Sequence, residues 1–434
     1  SIIKESGIID IKLKDLKGKE RSLTELAGKV VLIDCVTLWS TNFFFEIEKP
    51  DPNEDIGDGV QKGLRQKGVS KENRKEPIVQ MGMFLDDNGI PITIETFPGN
   101  TLDQATLRPA LKKSMGKLET ERFVLVADRG LHSFYNLCHL VSDGQGYIVS
   151  KSIRKTPKTE RQWITMQEDY IAKGNSFKFK SRIVTRRVKD ENGVVMELKE
   201  KVIVYWSERF YMREYNEHKS FLDFLERLRQ NPASFRITAI QSNKLKKFFK
   251  REFVHKDTGE IIESGKLLGM LDEEKIEELT AFMGYYQIVT SEIDMPDEDV
   301  IEAYHGLTQI EDQFREMKGT LSTRPIYVST QEHIQAHLLI CMIALTMLRL
   351  IQKKIISSSQ LEQIRCIWSY GMSGRRVQTA LQKWQIDKLP GDVYRFNNTT
   401  DDDLKRILSA FSINIMPKLY TRGDLRKIKT EIKL

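Results

Sequence analysis

Hydrophobic and polar positions along this chain switch between a period of two and a period near 3.6, and the switches predict the elements. Residues 29–33 form a short apolar run with β-branched members, the pattern of a central strand. Residues 51–75 are polar, charged and glycine-containing and read as a loop. Residues 78–85 and 90–97 are strand-like and are joined by Asp86-Asp87-Asn88-Gly89, a hairpin signal. Pro98-Gly99-Asn100 ends the second strand. A helical pattern covers 102–115, a strand 122–127, a helix from about Ser133, and a strand lies within 144–150. Strand, hairpin, helix, strand, helix, strand is an α/β layout with a mixed sheet.

The next stretch departs from that rhythm. Residues 177–188 and 194–206 alternate as two long strands around Asp190-Glu191-Asn192-Gly193, a basic β-hairpin. Residues 208–230 are amphipathic and helical, 244–251 form a basic cluster, and 285–291 return to strand character. Residues 151–282 therefore read as a β-rich insertion between two parts of a core, 41–150 and 283–352, with a helical region at 353–434. No internal repeat is present.

Composition narrows the picture. A chain of 434 residues can bury a full core. Its net charge of +7 suits a polyanionic partner without proving one, and in 151–256 cations outnumber acids roughly two to one. Cys35, Cys138, Cys341 and Cys366 are scattered, without zinc-type spacing or a CxxC pair, which fits a reducing cytoplasm. No signal peptide opens the sequence, and the apolar run 338–348 is too short to span a bilayer, so no membrane partner is expected.

The chemistry concentrates in YHGLTQIEDQFREMK, residues 304–318, which reads as one helix. Tyr304, Glu311 and Lys318 recur every seven residues and share a face, near Leu307 and Arg315. A carboxylate among cations suits phosphate chemistry; the plain alternative is a solvated helix with a salt-bridge ladder. Asp128 follows an apolar strand and precedes Arg129-Gly130, the strand-end position where α/β sheets place ligands, although an aspartate there is also a common cap or turn former. His333 and His337 lie four apart but lack a third ligand and read as packing residues, while Asp103 reads as a helix start.

Several of these segments together resemble DDE-type insertion-sequence transposases, in the branch with a Tyr-x2-Arg-x3-Glu-x6-Lys helix. Tyr304, Glu311 and Lys318 match; the arginine position is Leu307. The likeness continues through Arg324-Pro325-Ile326-Tyr327, HIQAHLLICMIAL, residues 86–109 and VLVADRGLHS, in the right order. It implies a ribonuclease H-like mixed sheet flanked by helices, with a β-rich insertion before the glutamate helix and a helical C-terminal region. It also implies DNA cleavage and strand transfer by two-metal phosphoryl transfer, with Mg2+ (Mn2+ as substitute) held by carboxylates. Double-stranded DNA would be the partner, contacted by Tyr304, Arg315, Lys318 and Arg324. A homodimer on paired ends is implied by the resemblance alone, with no heptad visible, and a bacterial, nucleoid-associated location goes with it.

The first acid is the irregular point. The family pattern Asp-x-Thr-Asn-aromatic-aromatic-Phe-Glu fits Thr41 to Glu46, but its aspartate falls on Trp39. The nearest upstream acid is Asp34, whose odd offset needs a bulge to restore its aim. The expected catalytic and metal-binding set is thus Asp34, Asp128 and Glu311. Residues 9–39 also resemble the start of thioredoxin-like proteins, which suggests a lead-in of about forty residues joined to a transposase near Ser40. The leading alternative is a catalytically inactive DNA-binding remnant without the first aspartate. A thiol-dependent redox protein is disfavoured because Cys35 has no paired cysteine, and a nuclease of the same fold would cut without joining.

Overall fold

Nine of the strands pair into one mixed sheet in the computed structural model, which describes residues 12–14, 20–22, 34–55, 60–70, 75–86, 88–114, 122–131, 133–189, 193–231, 272–358, 371–397, 400–415 and 418–431. In chain order the strands are β1 (Asp34–Phe44), β2 (Ile78–Leu85), β3 (Pro91–Pro98), β4 (Phe123–Ala127), β5 (Gly146–Lys151), β6 (Ile171–Lys173), β7 (Phe177–Lys189), β8 (Val195–Ser207) and β9 (Tyr285–Thr290). Their spatial order is β6-β7-β8-β9-β5-β4-β1-β2-β3. The strands β1, β4 and β5 run parallel, and every other pairing is antiparallel. The five strands β5-β4-β1-β2-β3 form the mixed α/β sheet that the sequence pattern predicts. The expected strand at 29–33 and the basic cluster at 244–251 lie outside the described residues.

Alternation along β1 and β4 sorts their side chains onto two faces. Val36, Leu38, Leu125 and Ala127 pack with α1 (Asp103–Ser114) and α2 (Phe134–Ser142). Phe43, Val124 and Val126 pack on the other face with α6 (Asp297–His305), α7 (Leu307–Lys318) and α8 (Gln331–Ser358). Sandwiching a parallel centre in this way explains why β2 and β4 are buried along their whole length. The expected loop at 51–75 carries structure of its own: Asn53–Asp55 pairs with Val60–Lys62, and Asp51 accepts from the Arg65 backbone N–H at 2.9 Å.

The basic hairpin joins the main sheet. The pairing runs from β7 to β8, then to β9 and on to β5. Its charges are largely spent inside the fold. Arg186 Nε donates to Glu200 Oε2 at 2.7 Å, and Tyr147 Oη donates to Glu200 Oε1 at 2.9 Å. Glu160, from α3 (Lys158–Thr165), pairs with both Lys151 and Arg186 at 3.4 Å. Lys180 is buried and donates to the carbonyls of Trp163 and Met166 at the end of α3, 2.6 and 2.7 Å away. The hairpin aromatics Phe179 and Tyr205 are core residues. Among the described residues, two helices, α4 (Glu208–Gln230) and α5 (Glu273–Ala281), follow the hairpin before β9. Beyond α8 come three further helices, Gly374–Lys383, Asp402–Ala410 and Arg422–Glu431, and a small three-stranded sheet that the sequence pattern did not announce.

Candidate active site

The stretch expected as one helix from Tyr304 to Lys318 is two. The first, α6, stops at His305 and α7 begins at Leu307, with Gly306 as the junction; its N–H bonds to the Glu302 and Ala303 carbonyls at 3.2 and 3.1 Å. Glycine at this point lowers helix propensity and permits the break. Tyr304 therefore belongs to α6, and Glu311 and Lys318 belong to α7. The seven-residue stripe does not hold throughout, because Leu307 is in the core while Glu311 is exposed.

Asp128 stands immediately after β4. Ser150, on the neighbouring β5, donates its hydroxyl to Asp128 Oδ1 at 3.0 Å and accepts the Arg129 N–H at 3.1 Å. Leu131 N donates back to the Asp128 carbonyl at 3.0 Å, closing the turn. Tyr304, on α6, brings its hydroxyl close to Ser150 and Asp128. Burial raises the Tyr304 hydroxyl above its ordinary range; the Ser150 hydroxyl opposes this and the nearby Asp128 carboxylate adds to it. Tyr304 is thus a largely buried, neutral hydroxyl beside the acid.

The cations lie on the last turn of α7 and in the segment after it. Lys318 Nζ sits 5.7 Å from the centre of the Phe43 ring, and the Arg324 guanidinium 5.6 Å from that of Phe44. Arg315 is exposed and pairs with Asp312 at 2.5 Å, a surface ion pair of about 0–1 kcal/mol. Segment 324–326 is held to the end of β1, where Ile326 N donates to the Phe44 carbonyl at 3.0 Å. Asp128 and Glu311 belong to the same face of the sheet, since Val124, Val126, Ile310 and Phe314 share one core.

Asp34 does not join them. The register of β1 on β4 pairs Asp34 with Phe123 and Leu38 with Ala127, without a shift. Continued by one residue, it sets position 39 beside Asp128. Position 34 is five residues back, about 16 Å along the strand. The bulge that Asp34 would need is missing, as β1 also pairs with β2 in unbroken register from Thr37 to Phe44. Among the described residues, no three His, Cys, Asp or Glu side chains gather where a metal ion could sit. His337 Nε2 donates to the Thr323 carbonyl, 2.9 Å away, in keeping with a packing role.

Asp103, read as a helix start, is one, and it also holds polar groups near the site. Asp103, the first residue of α1, accepts from Ser40 Oγ at 2.8 Å and also from Gln80 Nε2. Its carboxylate faces the Arg129-Gly130 turn: a Cβ on Gly130 would lie 3.6 Å from Asp103 Oδ2. Ser40 and Gln80 are both buried, so this acid ties α1 to β1 and β2 directly below the Asp128 turn. The polar Gln80 inside the apolar IVQMGMFL was the available signal.

Comparison with known proteins adds the family. A family model described as "Transposase DDE domain" matches residues 57–347. The match begins after β1, so Trp39 precedes it. Among curated proteins there is no match. Among solved structures, the chain is similar to one described as a piggyBac transposase synaptic complex with hairpin DNA, at 7% identity and a TM-score of 0.22, covering 73% of this chain and 54% of that one. The chain thus spans about half the length of that protein.

Proposed function

Since the chain belongs to the transposase DDE domain family, we propose that it engages double-stranded DNA at the sheet end bearing Asp128, and that as it stands it holds DNA without transferring strands. The phosphate contacts would be Lys318, Arg315 and Arg324; the Arg315–Asp312 pair is weak enough for a phosphate to displace. The observation supporting the second half is the register that sets position 39, a tryptophan, beside Asp128 and leaves Asp34 at the far end of β1.

Magnesium, when bound at such a site, activates the attacking oxygen and stabilises the leaving one. Asp128 and Glu311 are hard-oxygen donors of the right kind. They are two where converging acids must cage the ions, and the described donors do not make up the site that the resemblance implies. A competent strand transferase is the second reading; the built strand-end environment of Asp128, with Ser150 fixing one carboxylate oxygen, favours it.

The test compares the chain with Trp39→Asp, and with Trp39→Asp combined with Glu311→Gln. Gel shift on a duplex measures DNA binding, nicking and joining of supercoiled plasmid in Mg2+ or Mn2+ measures chemistry, and calorimetry with Mn2+ measures the ions. All three proteins are expected to shift DNA, and Trp39→Asp alone to bind Mn2+ and nick. Cut and joined product from the unaltered chain would establish the second reading. A folded Trp39→Asp protein that binds DNA but takes no Mn2+ would refute the placement of the missing acid.

A further inference from the structure

Three polar side chains are buried where α7 meets α8. Gln313 on α7 and Gln352 on α8 are fully covered, and Arg349 on α8 is 2% exposed. The same helices place Ile310, Phe314, Leu345 and Leu348 in the apolar core around them. The Arg349 guanidinium joins the two amides: Nε donates to Gln313 Oε1 at 2.5 Å and Nη1 to Gln352 Oε1 at 2.7 Å. Each amide nitrogen then donates to a backbone carbonyl. Gln313 Nε2 reaches that of Gly89, in the turn between β2 and β3, at 3.0 Å. Gln352 Nε2 reaches that of Met372, just ahead of the helix Gly374–Lys383, at 2.7 Å. Gly89, at a φ of +73°, also lies against Gln309, and a Cβ there would collide with the Gln309 amide oxygen. One chain of bonds thus runs from the β2–β3 turn through α7 and α8 to the C-terminal region.

We propose that Gln313 and Arg349 are positioning residues for Glu311: they fix the rotation of α7 about its own axis, and with it the place of the Glu311 carboxylate. Gln309 and Gln313 each stand two residues from Glu311, and so on the far side of the helix from it. The clamp therefore grips α7 from behind. The helix takes no phase from α6, because the chain breaks at Gly306, which has no side chain to cap it. Apolar contacts tolerate a small roll, whereas a guanidinium held between two amides closes in one setting. Stability alone does not call for it, since a buried cation carries a desolvation cost that an apolar residue of similar volume avoids. The lever is long. With the carboxylate about 6 Å from the helix axis, a roll of about 10° moves it by about 1 Å, and a working site needs placement within about 0.5 Å.

The proposal rests on Glu311 being an ion-holding acid, as in the function proposed above, and two measurements keep the failures apart. The first needs no ion: a crystal structure of Arg349→Met, or of Arg349→Met with Gln313→Met should the single variant not fold. Glu311 is expected to move by about 1 Å or more relative to Asp128, and an unmoved α7 overturns the proposal. The second is calorimetry with Mn2+ in the Trp39→Asp background, where Arg349→Met is expected to weaken binding roughly 10–100-fold. Arg349→Met also strands two buried amides and lowers the melting temperature. Adding Gln313→Met, which suits the apolar surroundings, should recover part of that temperature and leave Mn2+ binding weak. Affinity that returns together with stability overturns the proposal, because the network then only holds the core together. If Trp39→Asp takes no Mn2+ at all, the ion-binding reading fails and the crystal structure decides the clamp.

Discussion

Ser150 donates to Asp128 Oδ1 at 3.0 Å while accepting the N–H of Arg129, so one hydroxyl fixes both the carboxylate and the turn that carries it. Tyr304 approaches the same hydroxyl from α6. Ser150→Ala removes the link between these elements. Its expected cost is about 1 kcal/mol of stability, read as a lower melting temperature. In the Trp39→Asp background it should also weaken Mn2+ binding by roughly 10–100-fold, the usual effect of losing a group that orients a metal ligand. Calorimetry checks the second effect, and unchanged affinity would show that Asp128 orients itself.

Asp103 holds two buried polar groups, Ser40 and Gln80, at the base of the same turn. Asp103→Ala strands both. A loss of about 1–3 kcal/mol is expected, larger than for Ser150→Ala, and chemical denaturation measures it.

Arg186 and Glu200 form the centre of the ionic cluster that welds the hairpin to the sheet, with Glu200 1% exposed. Arg186→Met leaves Glu200 buried without its cation and should cost about 3–5 kcal/mol. Hydrogen exchange is expected to rise first in β7 and β8, and a uniform rise across the sheet would show that the cluster does not act locally.

Two partly buried groups contribute distinct stages to the acid limb of stability. Burial lowers the His305 imidazole below its ordinary range, with Arg209 adding to it, and its Nε2 finds no hydrogen-bond partner among the described residues. The folded state keeps His305 neutral while the unfolded chain takes up a proton, so stability falls as pH drops below about 6.5. Burial alone would raise the Glu160 carboxyl, but Lys151, the Gln287 amide and Arg186 outweigh it and hold it low. Its contribution is full above about pH 4.3 and is lost as pH falls through the depressed value. A pH series of denaturation midpoints should show both stages, and His305→Phe should remove only the first.

If Lys318 meets a phosphate, Lys318→Ala weakens DNA binding on every sequence alike and reduces the salt slope by about one. Fluorescence anisotropy on two unrelated duplexes at several salt concentrations checks this. Discrimination between the duplexes that changes with the substitution would place Lys318 against bases.

The alternation and helical periods in this chain determined the strands at 78–85, 91–98, 123–127, 146–151, 177–189, 195–207 and 285–290, the helices at Asp103, Phe134 and Glu208, and the strand-end place of Asp128, because those patterns are local and each element buries one face. The hairpin at 177–207 was equally legible, yet its attachment to the main sheet rests on pairing between distant segments. The failure of Asp34 was decided by register: only the pairing of β1 with β4 shows which end of the strand meets Asp128. The break at Gly306 was hidden because one glycine in a helical pattern is compatible with either a continuous or a divided helix. The exposed apolar face of α8 was invisible for a related reason. An apolar residue reads the same whether it faces a core or open surface, and packing alone separated Leu338 and Leu345 from Ile340 and Ile343.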